Sequence, residues 1–141
     1  MAVVAIEHLT KRFDLFSAVD DVSLYIEHGL FVSLLGPSGC GKTTVLRLVA
    51  GFLAPDRGSV RVGDRLISSP EALLPPERRN MSMIFQSYAL WPHMTIAENV
   101  AYGLKLRRLP RSEVEQRVAS ILTVTRLSGL ALRYPADISG G

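Results

Sequence analysis

The sequence predicts an α/β fold: a strand-rich core followed by a helical appendage. Three observations carry this prediction. An apolar run at residues 30–35, Leu-Phe-Val-Ser-Leu-Leu, passes directly into a glycine-rich loop and then a helix-like segment. A second short apolar run follows at residues 81–85. Two segments with helical apolar spacing come last, beginning near Thr95 and Ser112. The boundary falls after Gln86, giving a core over residues 1–86 and a helical subdomain over 87–141.

The elements follow in order. Residues 3–9 and 19–26 have strand-like apolar patterns, and His28-Gly29 is a turn. The run 30–35 carries one serine among five apolar residues, the pattern of a strand buried on both faces. Residues 44–50 place Val45, Leu46, Leu48 and Val49 on a helix that Gly51 can stop. Residues 59–62 and 66–67 flank Gly63-Asp64 as a hairpin. Residues 73–80, with Pro75-Pro76, read as a surface loop, and 81–85 as a second short strand. Thr95 and Glu98 have capping-box spacing, so a helix starts at Ile96, with Val100 and Leu104 on the same face. Ser112 and Glu115 repeat that spacing, and the next helix carries Val114, Val118, Ile121 and Leu122 as a stripe.

The 141 residues suffice for one ordinary core. With 48% apolar and 21% charged residues, the composition is globular rather than disordered. A net charge of +3 with isolated basic pairs, Arg78-Arg79 and Arg107-Arg108, describes a solvated surface and not a nucleic-acid footprint. No nucleic-acid partner is expected. A single cysteine excludes an intrachain disulfide. The sequence has neither a signal-peptide pattern at its start nor an apolar run of about 18 residues, so any link to a membrane is expected through a partner. His8, His28 and His93 show no metal-ligand spacing.

The chemistry lies at residues 36–44. Gly36, Pro37, Ser38, Gly39, Cys40, Gly41, Lys42, Thr43 and Thr44 match G-x-x-x-x-G-K-[ST] in full, between a strand candidate and a helix candidate. The glycines let backbone N–H groups converge on phosphate oxygens, and the following helix adds its N-terminal dipole. Lys42 is expected on the β- and γ-phosphates, the Thr43 hydroxyl on Mg²⁺ and Thr44 near the α-phosphate. Cys40 reads as a small residue filling a tight turn rather than a redox centre. The loop alone leaves kinases, GTPases and ATPases open.

Three further segments narrow the choice. Residues 81–100, Met-Ser-Met-Ile-Phe-Gln-Ser-Tyr-Ala-Leu-Trp-Pro-His-Met-Thr-Ile-Ala-Glu-Asn-Val, closely resemble the Q-loop region of ABC transporter ATP-binding subunits. Residues 133–141, Arg-Tyr-Pro-Ala-Asp-Ile-Ser-Gly-Gly, resemble the approach to that family's L-S-G-G-Q signature. Residues 10–13, Thr-Lys-Arg-Phe, look like its A-loop. The resemblance covers the whole chain in order and is strongest toward bacterial importer subunits for iron, polyamines, sulfate and sugars.

That resemblance implies a P-loop ATPase core with N-terminal antiparallel strands and the start of a helical subdomain, the C-terminal part of the sheet being absent. It implies ATP and Mg²⁺ as ligands. Phe13 would stack on adenine. Gln86 would touch Mg²⁺ or the attacking water, joining Lys42 as a catalytic residue and Thr43 as a metal contact. Ser139, Gly140 and Gly141 would face ATP bound by a second ATP-binding subunit. Tyr88, Leu90 and Trp91 follow Gln86 where the family receives a short helix of the membrane-spanning permease. The protein is thus expected at the cytoplasmic face of the inner membrane. Ile138 and Phe13 replace the commoner leucine and tyrosine. The Asp-Glu strand end and switch histidine that normally follow the signature are not in this sequence, so the 141 residues alone are expected to be inactive or nearly so. The alternatives are a soluble ABC-class ATPase of DNA repair or translation, and a small P-loop kinase or GTPase. The coupling region argues against the first. The missing N-K-x-D motif and the Ser-Gly-Gly ending argue against the second.

Overall fold

The computed structural model describes residues 3–86 and 88–138. The chain forms two compact units, Met1–Met83 and Ile84–Gly141. The first is built on a four-stranded antiparallel sheet, with β1 (Val4–Phe13), β2 (Phe16–Ile26), β3 (Arg57–Val62) and β4 (Arg65–Ser68) in the order β2-β1-β3-β4. Helix α1 (Lys42–Ala50) lies between β2 and β3 in sequence.

β1 is central, with Val4 opposite Ile26 of β2 on one side and Val62 of β3 on the other. Its inward residues are Ile6 and Leu9, three apart, although a strand alternates with period two. A bulge at Glu7 and His8 resets the phase: both pairings shift register there, and His8 has a φ of 50°. Ile6, Leu9, Val19, Leu48, Val60 and Ile67 then form one core, which joins α1 to the sheet through Leu48.

Several sequence expectations hold. The 59–67 hairpin turns at Gly63-Asp64 as β3 and β4. Helix α1 ends at Gly51, which takes the left-handed conformation and donates to the Arg47 carbonyl. β1 and β2 run further than expected, to a tight hairpin at Asp14-Leu15.

Other expectations are corrected. Residues 30–35 form no strand; they are unpaired, with Phe31 94% and Leu35 91% exposed. Residues 81–85 form no strand either, and Ile84 is exposed. The physical reason is common to both: a strand exists only where a second backbone accepts and donates its ladder bonds, and among the described residues no strand is laddered to either run. The segment 73–80 is not simply a surface loop. It contains a 3₁₀ turn, Pro76–Arg78, and ends in a buried side chain, Arg79. Arg79 therefore departs from the solvated basic pair expected of Arg78-Arg79.

The second unit packs α2 (Ile96–Leu106) on α3 (Arg111–Val124) around Ile96, Ala101, Val114, Val118 and Leu122. The expected capping box is present: the Glu98 amide donates to Thr95 Oγ1 at 3.2 Å, and the Thr95 amide to Glu98 Oε2 at 2.8 Å. At α3 the expected box is absent. Pro110 is the N-cap, Ser112 lies inside the helix, and Glu115 accepts from Arg111 instead. Proline at this point pre-sets the entry to the helix and displaces the start by two residues. Ile121 is 45% exposed and falls off the buried stripe of Val114, Val118 and Leu122.

Candidate phosphate-binding loop and its surroundings

The loop at 36–41 leads into α1 with no side chain capping the helix N-terminus and no acidic residue in its first turn. Such an end presents unpaired N–H groups and positive potential. Gly41 is the N-cap, with φ of 91°. A Cβ there would fall onto the Ala18 carbonyl oxygen of β2, so only glycine lets the loop approach the sheet this closely. Lys42 curls back over the loop. Its ammonium donates to the Gly36 carbonyl at 2.8 Å and the Pro37 carbonyl at 2.6 Å, and lies 3.4 Å from Cys40 Sγ. The cation is thus held at the mouth of an exposed loop by weak neutral acceptors. Phosphate oxygens, which carry charge, are stronger acceptors for it. Residues 36–40 are exposed, as are Thr43 and the Cys40 thiol.

The hairpin that carries Phe13 flanks this helix start, because Phe13 pairs with Phe16 and Ala18 follows on the same strand. Phe13 is half-exposed, with Lys11 Nζ 5.8 Å from its ring centroid. Asp56 organises the hairpin base. Its carboxylate accepts from Lys11 Nζ at 2.8 Å and from the Arg12 amide at 2.7 Å, and its own amide donates to the Thr10 carbonyl. The Lys11 bond, with that of the Arg12 amide, holds this carboxyl below its ordinary range.

Gln86 lies in the second unit, exposed, in a turn. Tyr88, Leu90 and Trp91 are exposed as well. Asn99 ties the Trp91 loop down: its side chain accepts from the Trp91 amide at 2.8 Å and donates to the carbonyls of Trp91, Met94 and Thr95. Trp91 meets Tyr102 at 5.6 Å and His93 at 6.0 Å between ring centroids. Ser139, Gly140 and Gly141 lie outside the described residues.

Asp56, Arg79 and Asn99 were not singled out from sequence. The side chain of each bonds backbone groups four to forty-four residues away. Asn99 alone carried a local signal, sitting one residue past the capping-box glutamate.

A glycine-rich loop opening a helix, with its lysine over the loop carbonyls, defines the class of P-loop nucleotide-binding chains. Residues 19–141 match the ABC transporter family, and the chain belongs to that family. It is 47% identical, over all of its length, to the trehalose/maltose import ATP-binding protein MalK of Thermococcus litoralis, covering 38% of that protein. It is 44% identical to the spermidine/putrescine import ATP-binding protein PotA of Vibrio cholerae, with 99% of this chain and 36% of that one aligned. PotA of Rubrobacter xylanophilus is 48% identical, with 98% and 36% aligned. The chain therefore spans a little over a third of the length of these relatives. Among solved structures, the dimeric post-hydrolysis state of the ATP-binding cassette MJ0796 bound to ADP and Pi superposes with a TM-score of 0.84 at 28% identity. That match covers 97% of this chain and 63% of the other. The α/β P-loop fold expected from sequence agrees with it. Among the described residues, no helix is long and apolar enough to cross a membrane, and no three acidic, histidine or cysteine residues form a metal cluster.

Proposed function

We propose that this chain is the nucleotide-binding part of an ATP-binding subunit that drives solute import. The observation that carries the proposal is the uncapped start of α1 with the Lys42 ammonium held over it on the Gly36 and Pro37 carbonyls. In this reading the β- and γ-phosphates of ATP take over the lysine from those carbonyls. The amides of residues 36–44, from Gly36, Pro37-Ser38, Gly39, Cys40 and Gly41 to Thr44, line the phosphates, apart from the proline, which has no N–H. The Thr43 hydroxyl supplies one Mg²⁺ ligand. Phe13, half-exposed beside this helix start, stacks on the adenine ring. Gln86 senses the γ-phosphate or orients the attacking water.

Import is favoured by the relatives that align over the whole chain, which are import ATP-binding proteins for two unlike solutes, a sugar and a polyamine. Such a division supports a reading in which solute choice lies outside these residues. The exposed Tyr88, Leu90 and Trp91, with Trp91 anchored by Asn99, are the proposed docking point for a membrane-spanning permease at the cytoplasmic face of the membrane. A second copy would pair with this one, Ser139, Gly140 and Gly141 facing the nucleotide across the interface. The core over 1–86 would bind nucleotide, and the helical part over 87–141 would couple it to transport.

The test is a calorimetric titration of Mg-ATP into the parent and Lys42→Ala. An ammonium on two phosphates contributes two charge-assisted bonds, so the variant should lose about 3 kcal/mol or more. Equal affinity in a folded Lys42→Ala chain would overturn the assignment.

A further inference from the structure

We propose that Arg79 is a positioning residue for phosphate binding, acting as a clamp on the far end of the P-loop helix; this rests on the reading of residues 36–44 as the phosphate site. Arg79 is 6% exposed and its guanidinium is fully engaged. Nη1 donates to the Leu48 carbonyl at 3.2 Å and the Val49 carbonyl at 2.7 Å, both in the last turn of α1. Nη2 donates to the Ile67 carbonyl at 2.8 Å and to Ser68 Oγ at 3.1 Å, both on β4. Nε donates to the Leu74 carbonyl at 2.7 Å. An arginine has five N–H donors, and all five are used here on three separate chain segments. The cation also sits at the negative end of the α1 dipole, which offsets part of the cost of burying it.

The consequence reaches the loop because α1 is short. It has nine residues, one fully buried side chain, Leu48, and too few turns to hold itself rigid. Its first residue is Lys42. The helix is held at both ends by close approaches that only glycine permits. At the start Gly41 lies on the Ala18 carbonyl; at the end Gly51, with φ of 89°, lies against the guanidinium, where a Cβ would fall onto Arg79 Nε. Loosening the far clamp frees the helix to tilt about Leu48. The amides at 41–44 and the lysine then lose their common aim, and phosphate contacts depend on sub-ångström aim.

The experiment measures Mg-ATP affinity by calorimetry for the parent chain, Arg79→Met, Arg79→Lys and Gly51→Ala, with Lys42→Ala as reference. Each is measured where circular dichroism and a urea titration show it more than about nine-tenths folded; there, partial unfolding can raise the apparent Kd by only about 1.1-fold. Arg79→Met, which removes five hydrogen bonds across three chain segments, should raise Kd by about tenfold or more, equivalent to roughly 1.4 kcal/mol. Gly51→Ala keeps the cation but displaces it and should shift Kd in the same direction. Arg79→Lys, with three donors in place of five, should fall between parent and Arg79→Met. If Arg79→Met does not fold, Arg79→Lys and Gly51→Ala carry the test. Unchanged Kd in folded Arg79 and Gly51 variants, alongside a large loss in Lys42→Ala, would overturn the clamp and leave the phosphate site standing. A folded parent chain that does not bind Mg-ATP would overturn both.

Discussion

Two apolar stretches of the first unit meet opposite fates. β1 opens with Val4, Ala5 and Ile6, and it is paired on both sides, to β2 and β3. Residues 30–35 are more apolar than β1, yet they stand unpaired, with Phe31 and Leu35 almost wholly exposed. Apolar content did not separate them. The difference is whether neighbouring backbone is present to take the ladder bonds. Ile6 finds Leu24 and Val60, eighteen and fifty-four residues away. A strand is thus a property of a pair, and burial follows pairing. The second unit teaches the converse. Its α2 starts mainly on local bonds, a capping box spanning three residues and Asn99 within eight residues of every partner, with the Ile96 and Ala97 amides donating besides to the distant Arg133 and Ala131 carbonyls.

The widest test of this contrast compares Leu9 with Phe31. Leu9 is fully buried, and Leu9→Ala should cost this chain about 2–5 kcal/mol in urea unfolding. Phe31→Ala, at a side chain 94% exposed, should stay within about 0.5 kcal/mol. Equal losses would mean that residues 30–35 are covered in solution and that pairing does not divide the two stretches.

A middle-sized effect is expected from the locally built unit. Thr95→Ala removes the acceptor for the Glu98 amide and should cost about 1 kcal/mol. The loss should be confined to α2, seen as faster amide exchange in its first turn with β1 unchanged. Faster exchange spreading through β1 would show that the two units do not hold themselves separately.

The smallest effect belongs to Asp56, which ties β1 to the start of β3 at the surface. Its carboxyl is held below the ordinary range by Lys11 and the Arg12 amide. A depressed folded value means that the ion pair contributes fully above about pH 4 and fades as pH falls through that depressed value. The Asp56 side chain is 42% exposed, so solvent screening limits the contribution to at most about 1 kcal/mol. The stability gap between parent and Asp56→Asn should therefore be present at pH 7 and close toward pH 3. A gap of the same size at both would assign the effect to packing rather than charge.

Much of this was legible in the residues. Gly36, Gly39, Gly41, Lys42 and Thr43 match the P-loop pattern, whose chemistry asks for those types at that spacing within eight residues. Gly51, the Gly63-Asp64 turn and the Thr95–Glu98 box are equally local, since each satisfies backbone groups no more than a few residues away. Local rules misled where a stronger neighbour intervened. Pro110 set the start of α3 ahead of Ser112, and the bulge at His8 broke the alternation that would have put Leu9 outside. Tertiary structure alone decided the rest. It left the apolar runs at 30–35 and 81–85 outside any strand, buried Arg79 out of an apparently solvated Arg-Arg pair, and brought Asp56 to Lys11 across forty-five residues. Those outcomes depend on which distant backbone carbonyl, amide or charge arrives beside a side chain. Spacing along the chain carries no record of that.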